Sequence, residues 1–509
     1  MKFLISDTKQ LGNKHGKWFY WHDDKCQVMR QRGEVIIYHG YTIGKTLPQH
    51  IEEGTLDGAD GNFFVVRLGE SKLECQVDYF CQNKIFYRHG KQFEVTNQIY
   101  LLPLTTEDID KKYLLARYKM PDTFKQLDNG PTNYHTYVPR EGGWPDRSYH
   151  SARCETVFKH TLIMQPDHKL VHDGAHRLVR IHNTKKSIHQ ALTGPRTHMD
   201  NTQVQEHIYN CMSEHADVIK QNYSNIFTSV SEGIDGILQD QFFEDSTGIM
   251  YNFNPDNSPF HNKWHVLNNM RQQNKNVIID SMPTDRFDDT VKYMNDPSVA
   301  FWDTLPSQWQ INKLPVKPDI VLYGQCADQM FMHQPWFYYE LVWATVIMNT
   351  KDPEEALDNF ADLLERNKNS YAVKENIRKP TPTSFYDIWP TDDIKEILKE
   401  PEDDWKHSFP AKALPGLYNR DIAHATDLPV SSLYSDRRFF FLIYQMPFKD
   451  IFDNAKDVSI EKSILKNKFN IDFHTPHKDA ASFSTYNMVQ PMYKHTIDYC
   501  LKDHINADS

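Results

Sequence analysis

At 509 residues the chain is too long for one hydrophobic core, and two or three domains are expected. Hydrophobic residues make up 39% and aromatics 13%, enough to fill those cores, while a formal net charge of −11 argues against a nucleic-acid binder. No apolar run approaches the ~20 residues of a membrane span, and the start, MKFLISDTKQ, is too short an apolar run for a signal peptide. Seven scattered cysteines without a Cys-x-x-Cys pair point to reduced thiols in a cytoplasmic protein.

From residue 17 to 102 the chain is a succession of short β-type segments broken by turn residues: KWFYW, EVIIYHG, NFFVVRL, LECQVDY, KIFYRHG and QIYLL. Alternation in LECQVDY puts Leu73, Cys75 and Val77 on one face, and its closeness to KIFYRHG predicts an antiparallel pair. Residues 105–151 are rich in Pro, Gly, Asp and Tyr and read as an insertion. Residues 156–181 predict a hairpin turning at Asp173-Gly174. Around it, His168, His172 and His176 have a spacing that could gather a metal on one helix. The Asp-Gly between them breaks a helix, so exposed histidines on a polar strand face are expected instead.

Residues 201–225 carry Val204, Ile208, Met212, Ala216 and Ile219 at helical spacing and predict an amphipathic helix. The stretch after it, SNIFTSVSEGIDGILQDQFFED at residues 224–245, is the most informative in the chain. An apolar run ends in Ser231, Gly233 and Asp235, and an apolar-periodic segment follows at once, which predicts a strand, a tight turn and a helix. That geometry suits an anion, although the spacing is neither the Walker loop nor the dinucleotide loop. Further strands are expected at 248–253, 277–280 and 319–324, with a helix at 261–274 between the first two. Strands alternating with helices predict a parallel sheet whose ligands bind beyond the carboxyl ends of the strands. The loops at Ser231 and Gly324 both follow such ends. Residues 335–349, apolar nearly all round, and the amphipathic 354–367 read as core helices.

Taken together, these motifs resemble the asparagine synthetase family. The Ser231 loop resembles its Ser-Gly-Gly-x-Asp-Ser pyrophosphate loop. Gly324-Gln325-Cys326-Ala327-Asp328-Gln329-Met330-Phe331 resembles Gly-Glu-Gly-Ala-Asp-Glu-Leu-Phe. Gln445-Met446-Pro447-Phe448-Lys449-Asp450 resembles Arg-Val-Pro-Phe-Leu-Asp, and Lys462-Ser463-Ile464-Leu465-Lys466 resembles Lys-x-x-Leu-Arg. Towards the N-terminus, residues 60–64, Asp78 and residues 84–87 resemble the strand and hairpin of the family's glutaminase domain, and residues 156–181 its closing hairpin.

The resemblance implies a mixed α/β and α+β chain. Residues 1–185 would form an Ntn-hydrolase-like sheet-rich sandwich, and residues 200–509 a parallel-sheet ATP-pyrophosphatase (PP-loop) domain with a helical C-terminal part. It implies a carbon–nitrogen ligase that uses ATP and Mg²⁺, adenylates a small-molecule or peptide carboxylate, and passes it to ammonia or an amine. Asp235 and Asp328 would hold Mg²⁺, while Ser231, Gly233, Asp235 and Gly236 would bind the nucleotide phosphates. Lys462 would neutralise charge during transfer. No nucleic-acid or membrane partner is implied, and a homodimer is left open. Four departures stand out. The chain begins Met1-Lys2-Phe3 where the family's glutaminase needs a terminal cysteine nucleophile, so the N-terminal domain is expected to lack that activity. Glu232 replaces a glycine and Gly236 a serine in the pyrophosphate loop. Gln325 replaces the glutamate at the catalytic-base position, and a carboxamide accepts no proton at neutral pH; Tyr323 or His333 are substitutes to weigh. Relatives that close β-lactam or lasso-peptide rings share the missing cysteine and offer a model. The alternative is a catalytically degenerate relative that serves as a binding or scaffolding subunit.

Overall fold

The computed structural model describes residues 1–9, 11–108, 158–164, 168–182, 197–230, 233–252, 276–281, 310–324, 327–331, 426–446 and 458–473, with single residues between them. Among these, twelve strands occupy the first 180 positions: β1 Phe3–Ser6, β2 Asn13–His15, β3 Trp18–His22, β4 Gln27–Gln31, β5 Glu34–Thr42, β6 Gly61–Leu68, β7 Leu73–Val77, β8 Phe86–Arg88, β9 Glu94–Thr96, β10 Thr161–Ile163, β11 His168–His172 and β12 His176–Arg180. They form two six-stranded antiparallel sheets, ordered β10-β8-β9-β1-β3-β2 and β12-β11-β7-β6-β5-β4. The two sheets share one core, in which Phe3, Ile5, Trp18 and Val95 of the first meet Ile37, Phe64, Val66 and Cys75 of the second.

Strand alternation decides which side chains enter that core. Phe64, Val66 and Leu68 of β6 point inward, whereas Phe63 and Val65 point outward, against Leu47 and Ile51. Each such side chain contributes about 1.5–3 kcal/mol by leaving water, and a one-residue slip would exchange the two sets. Leu47 and Ile51 belong to α1, Leu47–Glu53, which Thr46 and Gln49 start with a reciprocal capping box and which Gly54 ends at φ 71°.

Two expectations fail in this part. β7 pairs with β6 and β11, while β8 pairs with β9 and β10 in the other sheet, so LECQVDY and KIFYRHG are not partners. The chain crosses between sheets through a turn in which the Asp78 carboxylate accepts from the Gln82 amide at 3.1 Å and Cys81 takes φ 55°. QIYLL is no strand: residues Ile99–Leu101 form a 3₁₀ turn, because Ile99 and Leu102, three apart, both bury on one side. The hairpin at Asp173-Gly174 is as expected, with Gly174 at φ 115°. Of the insertion, only residues 105–108 lie among the described residues.

The rest of the described chain builds a parallel sheet. Its elements are α2 Asn201–Asn222, β13 Ile226–Val230, α3 Ile234–Asp240, β14 Thr247–Asn252, β15 Val277–Ser281, β16 Ile320–Leu322, α4 Ala327–Phe331, β17 Val430–Ser431, α5 Arg437–Gln445 and α6 Ser459–Phe469. The strand order is β15-β14-β13-β16-β17, all parallel. Both faces are covered, as a parallel sheet requires. Val230, Met250, Ile320 and Leu322 pack with the helices, and Phe227, Ile249, Val321 and Val430 with Ile311 and Leu428 on the opposite side. The five apolar positions anticipated in α2 are all buried. The helices expected at 261–274, 335–349 and 354–367 lie outside the described residues. Among the described residues no helix is long and apolar enough to cross a membrane.

Sandwich and parallel sheet meet through buried polar groups. Asn62 Nδ2 donates to the Val430 carbonyl at 2.7 Å, and the Tyr41 hydroxyl bonds His215 Nε2 at 2.8 Å and Ser431 Oγ at 2.9 Å. Arg437 reaches Asp60 at 3.0 Å and lies over the Tyr79 ring.

Candidate functional site

Strand order reverses between β13 and β16, since β13 leads outward to β14 and β15 and the chain then returns to lay β16 and β17 on the other side. A crevice opens at the carboxyl ends of two parallel strands where their connections leave in opposite directions. The two loops singled out in the sequence leave β13 and β16 at that point. They touch: a Cβ on Gly324 would sit 2.7 Å from Gly236 N and 2.9 Å from the Asp235 carbonyl carbon. A glycine is therefore required there by close backbone approach.

α3 starts at the cap Gly233, which has no side chain to cap it. Asp235 stands in the first turn, half-buried, and Gly236 is buried against Gly324. The helix is anchored from behind. The buried Asp240 carboxylate accepts from Thr228 Oγ1 of β13 at 2.6 Å, and Gln239 Oε1 accepts from the Leu433 amide at 2.9 Å. At the front, the Tyr434 hydroxyl donates to the Asp235 carbonyl at 2.8 Å. Burial, reinforced by the nearby Glu461 and Asp235 carboxyl groups, raises the Tyr434 hydroxyl well above the ordinary phenol range, so it remains a donor.

Lys462 lies on α6, whose Ile460, Ile464 and Leu465 share the apolar cluster of Ile234, Ile237 and Leu238 from α3. Phe469 of α6 meets Phe242 at 5.2 Å. Lys462 is half-buried, and no carboxylate among the described residues pairs with it. Asp328 falls on α4, directly after β16. Thus Asp235 and Gly236 adjoin the second loop, Gly233 caps their helix, and the helix of Lys462 packs on it. Ser231, Glu232 and Gln325, together with His333, lie outside the described residues. Tyr323 is buried in the cluster on the sheet's far face, a poor place for a base.

Elsewhere, two groups of reactive residues sit in unreactive surroundings. Cys26 is buried, and burial pushes its thiol up to about 12, with Asp23 adding to the effect; such a thiol is a weak nucleophile. The histidines near Asp173 are not an exposed polar row. His172 packs between Trp18 at 5.3 Å and Phe93 at 4.3 Å, and His176 stacks on His89 at 4.6 Å. Their aromatic neighbours cover them, and among the described residues no group of three ligands could hold a metal. Tyr434, Asn454 and the Tyr41–His215–Ser431 junction escape a reading of the sequence, because each pairs with residues far away along the chain. No model of a known protein family matches this sequence, and no curated protein matches it.

Proposed function

We propose that this protein is an ATP-dependent amide-forming ligase resembling asparagine synthetase. In this reading a substrate carboxylate oxygen bonds to the α-phosphorus of ATP and pyrophosphate leaves. Ammonia or an amine then attacks the acyl carbon of the adenylate, AMP departs with the bonding electrons, and the nitrogen loses a proton. The observation that carries the reading is the switch point between β13 and β16, where the two motif loops meet at Gly324 and Gly236. The motif order in the sequence supports it. Residues 200–509 would be the ligase domain. Residues 1–185 would be a glutaminase-like domain of Ntn type without that activity, which the paired antiparallel sheets and the buried Cys26 support.

The residues present suit Mg²⁺-bound triphosphate. Mg²⁺ takes one or two carboxylates plus phosphate oxygens, and Asp235 and Asp328 stand on helices that follow neighbouring strands. They would hold the ion, which neutralises phosphate charge when bound. Backbone amides at Ser231 and Gly233 would receive the pyrophosphate, and Lys462 would balance the charge of transfer. Gln325 would contact the reacting groups without taking a proton; a nitrogen arriving as neutral ammonia needs no base there.

Incubation with Mg-ATP and a panel of carboxylates, including aspartate with ammonium, tests the proposal. AMP formed with one acid alone supports it. A second reading, a degenerate binding or scaffolding subunit, is favoured by Glu232, Gly236 and Gln325. No AMP with any acid, together with failure to bind ATP, would reject the first reading and favour the second.

A further inference from the structure

Three helices carry the proposed site, and two buried side chains tie them together. Tyr434 is fully buried; its hydroxyl reaches the Asp235 carbonyl in α3 at 2.8 Å, and its ring meets Phe331, the last residue of α4, edge-on at 5.7 Å. Asn454, 2% exposed, uses both ends of its carboxamide. Its Nδ2 donates to the Phe331 carbonyl at 3.1 Å, and its Oδ1 accepts from the Ile460 amide in the first turn of α6 at 2.9 Å. Asp235, Asp328 and Lys462 belong to these same three helices.

The N-cap residues of the two helix starts concerned provide no side-chain cap. α3 begins at Gly233 with no side-chain cap. α6 begins at Val458, which has φ 53° and no side-chain cap of its own, and a β-branched residue strongly resists that conformation. The Val458 amide is held by the Asn454 carbonyl at 2.7 Å. Helix ends fray when their amides are unsupported, and a phosphate site needs its donors placed to within ~0.5 Å. The restraint on α3 crosses from Tyr434, and that on α6 comes from Asn454, which is itself tied to the end of α4.

We propose that Tyr434 and Asn454 are positioning residues that hold the starts of α3 and α6 and the end of α4 in one arrangement that binds nucleotide. The inference rests on the ligase reading above and adds the device that assembles its site. Neither residue touches the reacting atoms in this scheme. Tyr434→Phe keeps the ring on Phe331 and removes only the bond to Asp235. Asn454→Asp keeps the acceptor for Ile460 and removes the donor to Phe331.

The test is titration calorimetry with Mg-ATP, paired with thermal unfolding in its absence and at saturation. Each variant is expected to bind Mg-ATP about tenfold more weakly and to show a smaller nucleotide-induced rise in unfolding temperature. Equal lowering of the unfolding temperature with and without nucleotide, at unchanged affinity, would mean a purely structural role and overturn the proposal. Hydrogen exchange of the unaltered protein is an independent check that needs no variant. Mg-ATP should slow exchange in residues 234–240, 327–331 and 459–469 together; protection confined to 234–240 would also overturn it. An unaltered protein that fails to bind Mg-ATP rejects the ligase reading and this inference with it, whereas binding left intact in both variants rejects this inference alone.

Discussion

Gly324→Ala is the sharpest perturbation of the point where the two loops meet. The added methyl would lie 2.7 Å from Gly236 N, 2.9 Å from the Asp235 carbonyl carbon and 3.0 Å from Gly236 Cα, where ordinary contacts begin at 3.4 Å. All three are backbone atoms, so no side-chain rotation relieves the overlap. The end of β16 and the first turn of α3 must separate by roughly 0.5 Å or more, and such overpacking costs about 1–3 kcal/mol. Against this, replacing glycine restricts the unfolded chain and returns only about 0.4–1 kcal/mol. The balance is a net destabilisation centred on about 1.3 kcal/mol and at most about 2.6 kcal/mol. A chain of this length need not unfold in one step, so the readout is the urea midpoint of the transition that Mg-ATP shifts. Gly12→Ala, where a Cβ meets nothing within 4 Å, is the control and should hold that midpoint or raise it slightly. A Gly324→Ala protein with the midpoint and Mg-ATP affinity of the Gly12→Ala protein would refute the close approach of the two loops.

Three further outcomes follow from buried groups. Tyr41→Phe strips a fully buried hydroxyl from both His215 and Ser431; it should cost about 1–3 kcal/mol, and an unchanged denaturation midpoint would deny the junction its role. Burial raises Asp78 from its ordinary 3.8 to about 7. The folded state therefore holds a proton that the unfolded state has lost, and this contribution to stability disappears as pH rises through about 7. The stability difference between Asp78→Asn and the unaltered protein should move in the variant's favour from about pH 4 to 7 and then level off, whereas a flat difference would contradict the buried acid. Finally, Cys26 should resist alkylation at pH 8 in the folded protein and react after unfolding, because its thiol titrates only near 12; rapid native-state modification, read by mass spectrometry, would contradict its burial.

Much of the site's framework is legible in the residues themselves. The apolar run at residues 226–230 and the periodic segment at 234–240 specify strand and helix without tertiary help. The same holds for α2, whose five spaced apolar positions are its buried face. Pairing in the sandwich is harder to read, because Asp78 caps a turn that sends the chain to the opposite sheet, and nothing local distinguishes that turn from a hairpin. β17 is two residues long, too short to show a period, yet it closes the sheet edge and receives Asn62 and Tyr41 from the sandwich. Tyr434 and Asn454 look like ordinary residues beside their neighbours. Their importance depends on Asp235 and Phe331, which are distant in sequence and adjacent only after folding.

Pyrophosphate exchange measures the adenylation step directly. With Mg-ATP, the cognate carboxylate and no nitrogen donor, labelled pyrophosphate should enter ATP, and Asp328→Ala should abolish the exchange. Release of ADP and phosphate in place of AMP and pyrophosphate, or exchange that survives Asp328→Ala, would contradict the account.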